Sequence, residues 1–524
     1  MGEQNGNGSY KEPQLQPRIA IIGAGSRGDV YARCTTESGL GKVVAVVEPI
    51  VFKRNLLGRR YIWGDSRPDH DLAYADVETF ISIVKERQYD RAVGKRSDSY
   101  VDAVFVCVRD ELHVRMITAL APLGLHLMCE KPLATTLQGC LQIQRAFEGY
   151  DPKIFAIGHV LRYSPHNMTL RDLVLNQRAI GDVVSIEHTE PVGWWHSSHS
   201  YVRGNWRRES VTAPSLLTKS CHDIDWILWM LCSPLAISGL PPHLPSTISS
   251  IGSLKQFKKS RKPKEAGDAT NCLSCPLVDT CMYSAKRIYY DRHLAKGDAE
   301  WPVHIVNPEI ETILATRGEV NARETLMQTL AEDYDASKVP IEDIESRSWF
   351  GRCVWESDND VCDDQHVLIE WQDDEHSRVA KSASFHMIAP TQSICERRGR
   401  IYGTAGEIVY DSEEITIHNF DSDTSRVVRP GVPENSHHGG GDSGLTEQFL
   451  KAVAAVQKGV KTVAEAQIEF LGVTIEEAVR SHAAVFAAED ARRQKRVVDW
   501  AEWWEQNVEG LSTSEDSKVR HGHR

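Results

Sequence analysis

Chemistry enters this chain first through glycines. The stretch Arg18-Ile19-Ala20-Ile21-Ile22-Gly23-Ala24-Gly25-Ser26-Arg27-Gly28 is a buried-strand pattern running into the spacing G-x-G-x-x-G. The first glycine permits a tight turn, the second lets backbone approach a pyrophosphate, and the third lets helix pack on strand. The amides of Gly23, Ala24, Gly25, Ser26, Arg27 and Gly28 would then meet phosphate oxygens at a helix N-terminus, where the dipole favours negative charge. A second apolar run, Val43-Val44-Ala45-Val46-Val47, ends in Glu48, where a ribose-binding carboxylate belongs. Glu48 would bond a 2′-hydroxyl and repel a 2′-phosphate, which favours NAD, while Lys53 and Arg54 close by keep NADP open. The alternative is a glycine-rich turn in some other α/β unit.

Three further groups could act on a substrate or metal. Glu130-Lys131-Pro132 follows a strand at its carboxyl end, where a lysine can steady a substrate oxygen as it gains charge. The competing assignment is a solvated lysine at a strand end. Trp194, Trp195, His196, His199, Arg203, Asn205 and Trp206 form a dense aromatic and polar run, suited to stacking on sugar rings or to filling a core. Cys272, Cys275 and Cys281 have the spacing C-x2-C-x5-C of a zinc or iron–sulfur loop. A closed site wants a fourth ligand, and Cys232, Cys353, Cys362 and His304 are all candidates; three ordinary thiols are the alternative.

The elements that must position these residues fall into two regimes. From Arg18 to His159, apolar runs of strand length alternate with helical periodicity over 75–87, 112–123 and 137–147, which predicts a parallel, doubly wound sheet. Beyond about residue 180 the runs 183–190, 367–371, 380–386, 400–402, 407–410 and 414–418 alternate polar and apolar positions, which predicts a second α/β domain on a largely antiparallel open sheet. Helical sequence returns over 445–456 and 463–493. The expected division is a disordered leader 1–16, a dinucleotide-binding domain 17–155, a substrate and oligomerisation domain 156–509 with an insertion at about 245–345, and a disordered tail 510–524. Gly252 to Asp268 reads as a basic, solvated part of that insertion.

Composition sets the outer limits. The 524 residues carry 41% hydrophobic and 25% charged residues, ordinary for a soluble globular protein. A net charge of -13 argues against nucleic acid or anionic membrane as partner. The apolar run 224–240 is interrupted by Asp225 and Pro234, so it reads as a buried helix, not a membrane span. Without a secretory signal the cytoplasm is the expected compartment, and the twelve cysteines are expected mostly reduced.

The glycine motif, Glu130-Lys131-Pro132 and Cys221-His222-Asp223-Ile224-Asp225 together resemble the Gfo/Idh/MocA family from Arg18 to about Arg493. Gly204-Asn205-Trp206-Arg207, Tyr283-Ser284-Ala285-Lys286 and His438-Gly439-Gly440-Gly441-Asp442 are most similar to its branch around a streptomycin-biosynthesis inositol-derivative dehydrogenase. The resemblance implies a Rossmann domain, a second domain with an open antiparallel sheet, and NAD(P)-dependent oxidation or reduction of sugars, cyclitols or related polyols by a homo-oligomer. It implies Lys131 and His222 as catalytic groups, and Val108, His113, Glu130 and Lys131 beside the cofactor. Arg162 resembles part of the segment that approaches substrate, and the aromatic run and helical spacing add Trp195, Lys219 and Asp223 as substrate candidates. The family's D-x-x-x-H departs here: Thr218 holds the aspartate position, and helical spacing predicts a cluster of Lys219, His222 and Asp223. The same residues fit a glycosidase or lyase using transient oxidation, and the family also contains non-catalytic regulators; retention of both Lys131 and His222 argues against the latter.

Overall fold

The computed structural model describes residues 16–66, 72–95, 100–234, 238–432 and 437–510. Almost all of the expected leader and tail lies outside these residues. The described residues form two compact units, and neither is contiguous in sequence: the first takes those up to 130, 145–160 and 440–475, the second those within 131–144, 161–439 and from 476 on.

In the first unit, six parallel strands run in the order β3-β2-β1-β4-β5-β6. They are β1 (Arg18–Ile22), β2 (Lys42–Val47), β3 (Ala73–Tyr74), β4 (Ala103–Val106), β5 (His126–Cys129) and β6 (Phe155–Ile157). Nearly every residue of β1, β2, β4, β5 and β6 is buried, as expected of a parallel sheet covered on both faces. The order reverses at β1, so the crevice beyond β1 and β4 is where such a sheet binds ligands. The helix Gly441–Gln457, which the division by sequence leaves in the second domain, packs in this unit beside the helix Ser26–Ser38. Its Phe449 meets Phe105 of β4 edge to face at 5.3 Å. The helical stretch expected over 463–493 is broken at Gly472, whose φ of 62° ends the turn Gln467–Leu471 before the helix Ile475–Gln494 begins.

In the second unit, nine strands run in the order β14-β13-β12-β11-β7-β10-β9-β8-β15. They are β7 (Val183–Pro191), β8 (Thr247–Ser253), β9 (Asp364–Trp371), β10 (Lys381–Ile388), β11 (Arg398–Gly403), β12 (Gly406–Tyr410), β13 (Ile415–Asn419), β14 (Thr424–Val428) and β15 (Val498–Asp499). Only β7 and β10 pair in parallel. Strand β9 alternates buried and exposed positions, so one face of the sheet is covered. The helix Cys221–Leu231, buried along its whole length, lies against β7 and β10, and its Trp226 stacks on His188 of β7 at 4.5 Å.

Two features here differ from the sequence expectation. Strand β8 begins inside the expected insertion yet pairs with β9, Ile248 opposite Ile369, as an integral part of the sheet. The basic stretch after it is anchored, not merely solvated. Phe257 is buried among Val202, Tyr283 and Val354, and the Asp363 carboxylate accepts the amides of Lys255 and Gln256.

Candidate active site

Strand β1 delivers Gly23 with φ of 101°, its amide donating to the Val47 carbonyl at 2.8 Å. A Cβ at Gly23 would stand 2.6 Å from the Cys107 carbonyl oxygen, and one at Gly28 only 2.0 Å from that of Gly23. The first and third glycines are therefore fixed by the protein's own packing. Gly25 differs: a Cβ there would meet nothing within 4 Å. It also caps the helix Ser26–Ser38 without a side-chain acceptor, leaving first-turn amides for an anion. These features fit a dinucleotide pyrophosphate.

Glu48 stands at the carboxyl end of β2, 7% exposed. Its Oε2 accepts the Ala24 amide and its Oε1 the Ile50 amide, both at 2.9 Å. The carboxylate thus braces the glycine loop and keeps further lone pairs for a ribose hydroxyl. Arg54 folds back onto the carbonyls of Glu48 and Pro49. Arg27 does not present a free guanidinium: Nε donates to Glu130 Oε1 at 2.7 Å and Nη2 to Asp442 Oδ1 at 2.6 Å. Tyr31 donates to the same Glu130 oxygen at 2.6 Å. Burial lowers the Arg27 pKa and its carboxylate neighbours raise it, with a net rise, so Arg27 stays cationic. His113 is fully buried and bonds the Val108 carbonyl at 3.2 Å, so it positions the loop after β4.

Lys131 and His222 both belong to the second unit. The Lys131–Pro132 bond is cis. Lys131 Nζ donates to the carbonyl oxygen of Thr218 at 2.7 Å. The position where the family carries aspartate therefore serves through its main chain. The Thr218 hydroxyl turns back to the Pro214 carbonyl. His222, 5% exposed, sits in the first turn of the helix Cys221–Leu231, with the ring of the exposed His438 at 5.9 Å.

The expected Lys219–His222–Asp223 cluster takes another form. Lys219 Nζ turns to Glu190 Oε1 at 2.9 Å and to Cys395 Sγ at 3.0 Å. Asp223 pairs with Arg397, Nε to Oδ1 at 2.6 Å, and accepts from His188 Nε2 at 2.9 Å. Tyr410 bonds the other His188 nitrogen at 2.7 Å. Arg397 Nε also lies 3.1 Å from Glu190, a contact of charge and not an aligned hydrogen bond. Glu190 and Asp223 are fully buried, so two carboxylates face two cations beneath the helix that carries His222. Burial alone would raise the Asp223 carboxyl, but Arg397 and His188 hold it well below the usual range. Burial, with Lys219 nearby, pushes His196 well below the usual imidazole range, and its Nδ1 lies 3.4 Å from Cys395 Sγ. Cys395 has φ of 59°, an uncommon conformation for a side-chain-bearing residue.

Two expected substrate residues are committed to the interior. Arg162 forms a bidentate pair with Asp225 at 2.7 and 2.8 Å and reaches Glu477 at 2.8 Å. It is 4% exposed. Trp195 is buried in a core with Ile288, Tyr289 and Val303, its ring 5.1 Å from that of Trp301. His199 stacks on Phe350, and burial takes its pKa down to about 3. Much of the aromatic run is therefore core. Cys272, Cys275, Cys281 and Cys353 line one hollow, but their sulfurs do not come close enough together to share one metal ion. Of the other candidate fourth ligands, His304 bonds Glu311.

Residues 17–159 match the family described as "Oxidoreductase family, NAD-binding Rossmann fold". Over this domain the chain is similar to that family, named GFO_IDH_MocA, and the match stops at residue 159. Inositol 2-dehydrogenase of Paracoccus denitrificans is 24% identical over 214 residues, 41% of this chain and 54% of that protein. The rhizopine catabolism protein MocA of Rhizobium meliloti is 28% identical over 156 residues, 30% of this chain and 41% of that one. The chain thus aligns with about half the length of these curated relatives. A levoglucosan dehydrogenase solved with NADH and levoglucosan shares the fold at a TM-score of 0.56 and 14% identity, over 93% of this chain and 99% of that one. The likeness of fold therefore extends well beyond the matched domain. Among the described residues no helix is long and apolar enough to cross a membrane.

Proposed function

We propose that this protein is an NAD-dependent dehydrogenase or reductase acting on a secondary alcohol of a sugar, cyclitol or related polyol. One observation carries the reading: Lys131, next in the chain after Glu130 of the nucleotide-binding unit, is fastened by its ammonium to the segment that presents His222. A cation and an imidazole tethered to one short stretch suit the two ends of an alcohol oxidation.

The amides from Gly23 to Gly28 would hold the pyrophosphate and Glu48 the ribose hydroxyls, which favours NAD over NADP. When bound, the nicotinamide supplies hydride acceptance or donation at the substrate carbon. Lys131 donates to the substrate oxygen and stabilises it as it gains charge. The Thr218 carbonyl holds the ammonium in place. His222 takes the hydroxyl proton in oxidation and returns it in reduction. The relatives point to the substrate class through the inositol and levoglucosan in their names. A panel of inositols, inosamines and anhydrosugars assayed for NADH absorbance tests the reading. Turnover with NAD on at least one polyol is expected; bond cleavage without net NADH, or no turnover on any member, contradicts it.

A further inference from the structure

Three side chains that the dehydrogenase reading does not use converge on the open face of the second unit's sheet. Asp364 and His366 stand two residues apart on β9, so both project to the same side of the strand. That side is the exposed one, since His366, Leu368 and Glu370 alternate with buried Val367 and Ile369. His386 of β10 lies directly opposite His366 in the antiparallel register, which sets their Cβ atoms about 4.5–5.5 Å apart. The two imidazoles stack with 3.8 Å between ring centroids and 15° between planes. Both Nε2 atoms approach one carboxylate oxygen: Asp364 Oδ1 is 2.7 Å from His386 Nε2 and 4.0 Å from His366 Nε2. One ligand atom from each of the three residues lies within 4.8 Å of the other two.

This donor set and its spacing fit a metal ion. Imidazole nitrogen and carboxylate oxygen bind zinc at about 2.0–2.2 Å, which places the ligand atoms of a tetrahedral site roughly 3.4 Å apart. The separations of 2.7 and 4.0 Å bracket that value. His366 supplies the adjustment: its side chain is 47% exposed and turns toward the carboxylate without disturbing the core, whereas that of Asp364 is only 11% exposed. Lys255 pairs with the other carboxylate oxygen, Oδ2, and leaves Oδ1 to the imidazoles. Across β9 the neighbour of His366 is Ile251, 72% exposed, so the site is open to ions from solvent.

We propose that Asp364, His366 and His386 form a binding site for a divalent transition-metal ion of the zinc class, with water completing the coordination. The metal takes the place of the hydrogen that His386 Nε2 shares with Asp364, and that proton passes through solvent to Nδ1 of the same ring. Nothing is oxidised or reduced. The bound ion joins β9 to β10 and presents a water-filled coordination position on the open face.

The test is calorimetric titration of zinc into the full-length protein freed of any affinity tag. About one zinc per chain with micromolar affinity is expected. His366→Ala and His386→Ala should each weaken binding at least about tenfold, no less than loss of a partner outside the coordination shell costs. His376→Ala, at an exposed histidine in the turn after β9, should bind as wild type does. A readout on the wild type alone does not depend on how the variants fold: zinc should protect His366 and His386 from carbethoxylation by diethyl pyrocarbonate, followed by mass spectrometry. Absence of stoichiometric binding, affinity unchanged in either site variant, equal weakening in His376→Ala, or carbethoxylation of both histidines that ignores zinc overturns the proposal.

Discussion

Replacing Arg397 with methionine would remove the one group that touches both buried carboxylates beneath the His222 helix. Arg397 meets Asp223 at 2.6 and 3.3 Å and Glu190 at 3.1 Å, and neither carboxylate has any exposed surface. In the variant Asp223 keeps only His188 among these partners, and Glu190 only Lys219. Breaking a buried pair from one side costs about 3–5 kcal/mol, because the abandoned charge stays buried. With an unfolding entropy of about 2 cal/mol/K per residue over roughly 300 residues, Tm should fall by about 5–8 °C. The pH dependence follows from the sign of the Asp223 shift. Its folded pKa lies below its unfolded value, so the pair stabilises fully above the unfolded carboxylate range and the benefit fades as pH falls through the folded pKa. Without Arg397, burial raises the same carboxyl, and a proton taken up in mild acid neutralises it. The Tm gap between wild type and Arg397→Met should therefore be widest near pH 8 and narrow by pH 5, followed by thermal unfolding in matched buffers. A gap under about 2 °C, or one equal at both pH values, refutes the buried-network argument.

Two other expectations follow from the site. Glu48→Arg should move preference from NADH toward NADPH in titrations of either cofactor, and should weaken NADH binding because the Ala24 amide loses its acceptor. Thr218→Ala should keep turnover within about threefold of wild type while costing about 1 kcal/mol of stability, since the acceptor for Lys131 is a carbonyl that alanine retains. A collapse of turnover in Thr218→Ala would show that the side chain, not the main chain, carries the role.

What could be read from the sequence was what is local. The strand into Gly23, the close contacts of Gly28 and the placement of Glu48 depend on neighbours in one crossover unit, and their spacing encodes them. Thr218 looked like a defect because a main-chain acceptor leaves no trace in residue type. Glu190, Cys395 and Arg397 were missed because the pairing of β7 with β11 brings them to Lys219 and Asp223, and nothing in the sequence states that register. Arg162 and Trp195 read as polar and aromatic pocket residues because nothing in the sequence states their pairing with Asp225 and Glu477 or with Trp301. The cysteine spacing was visible, but nothing in it states how far apart the sulfurs stand in the fold. The helix Gly441–Gln457 was legible as a helix, while its place beside the nucleotide-binding sheet rests on Arg27–Asp442 and Phe105–Phe449, contacts without a local signature.

The central claim is that Lys131 acts on the substrate oxygen and not on the cofactor. On a substrate found in the polyol panel, NAD affinity and single-turnover hydride transfer should be measured for wild type, Lys131→Ala and His222→Ala. Lys131→Ala should bind NAD within about threefold of wild type and slow hydride transfer at least about 10²-fold, the loss typical of one preorganised donor. His222→Ala should be slower by about 10²–10⁴-fold, with a deficit that shrinks at high pH. Near-wild-type hydride transfer in both variants, with NAD still bound, would contradict the mechanism and leave the nucleotide site a binding one.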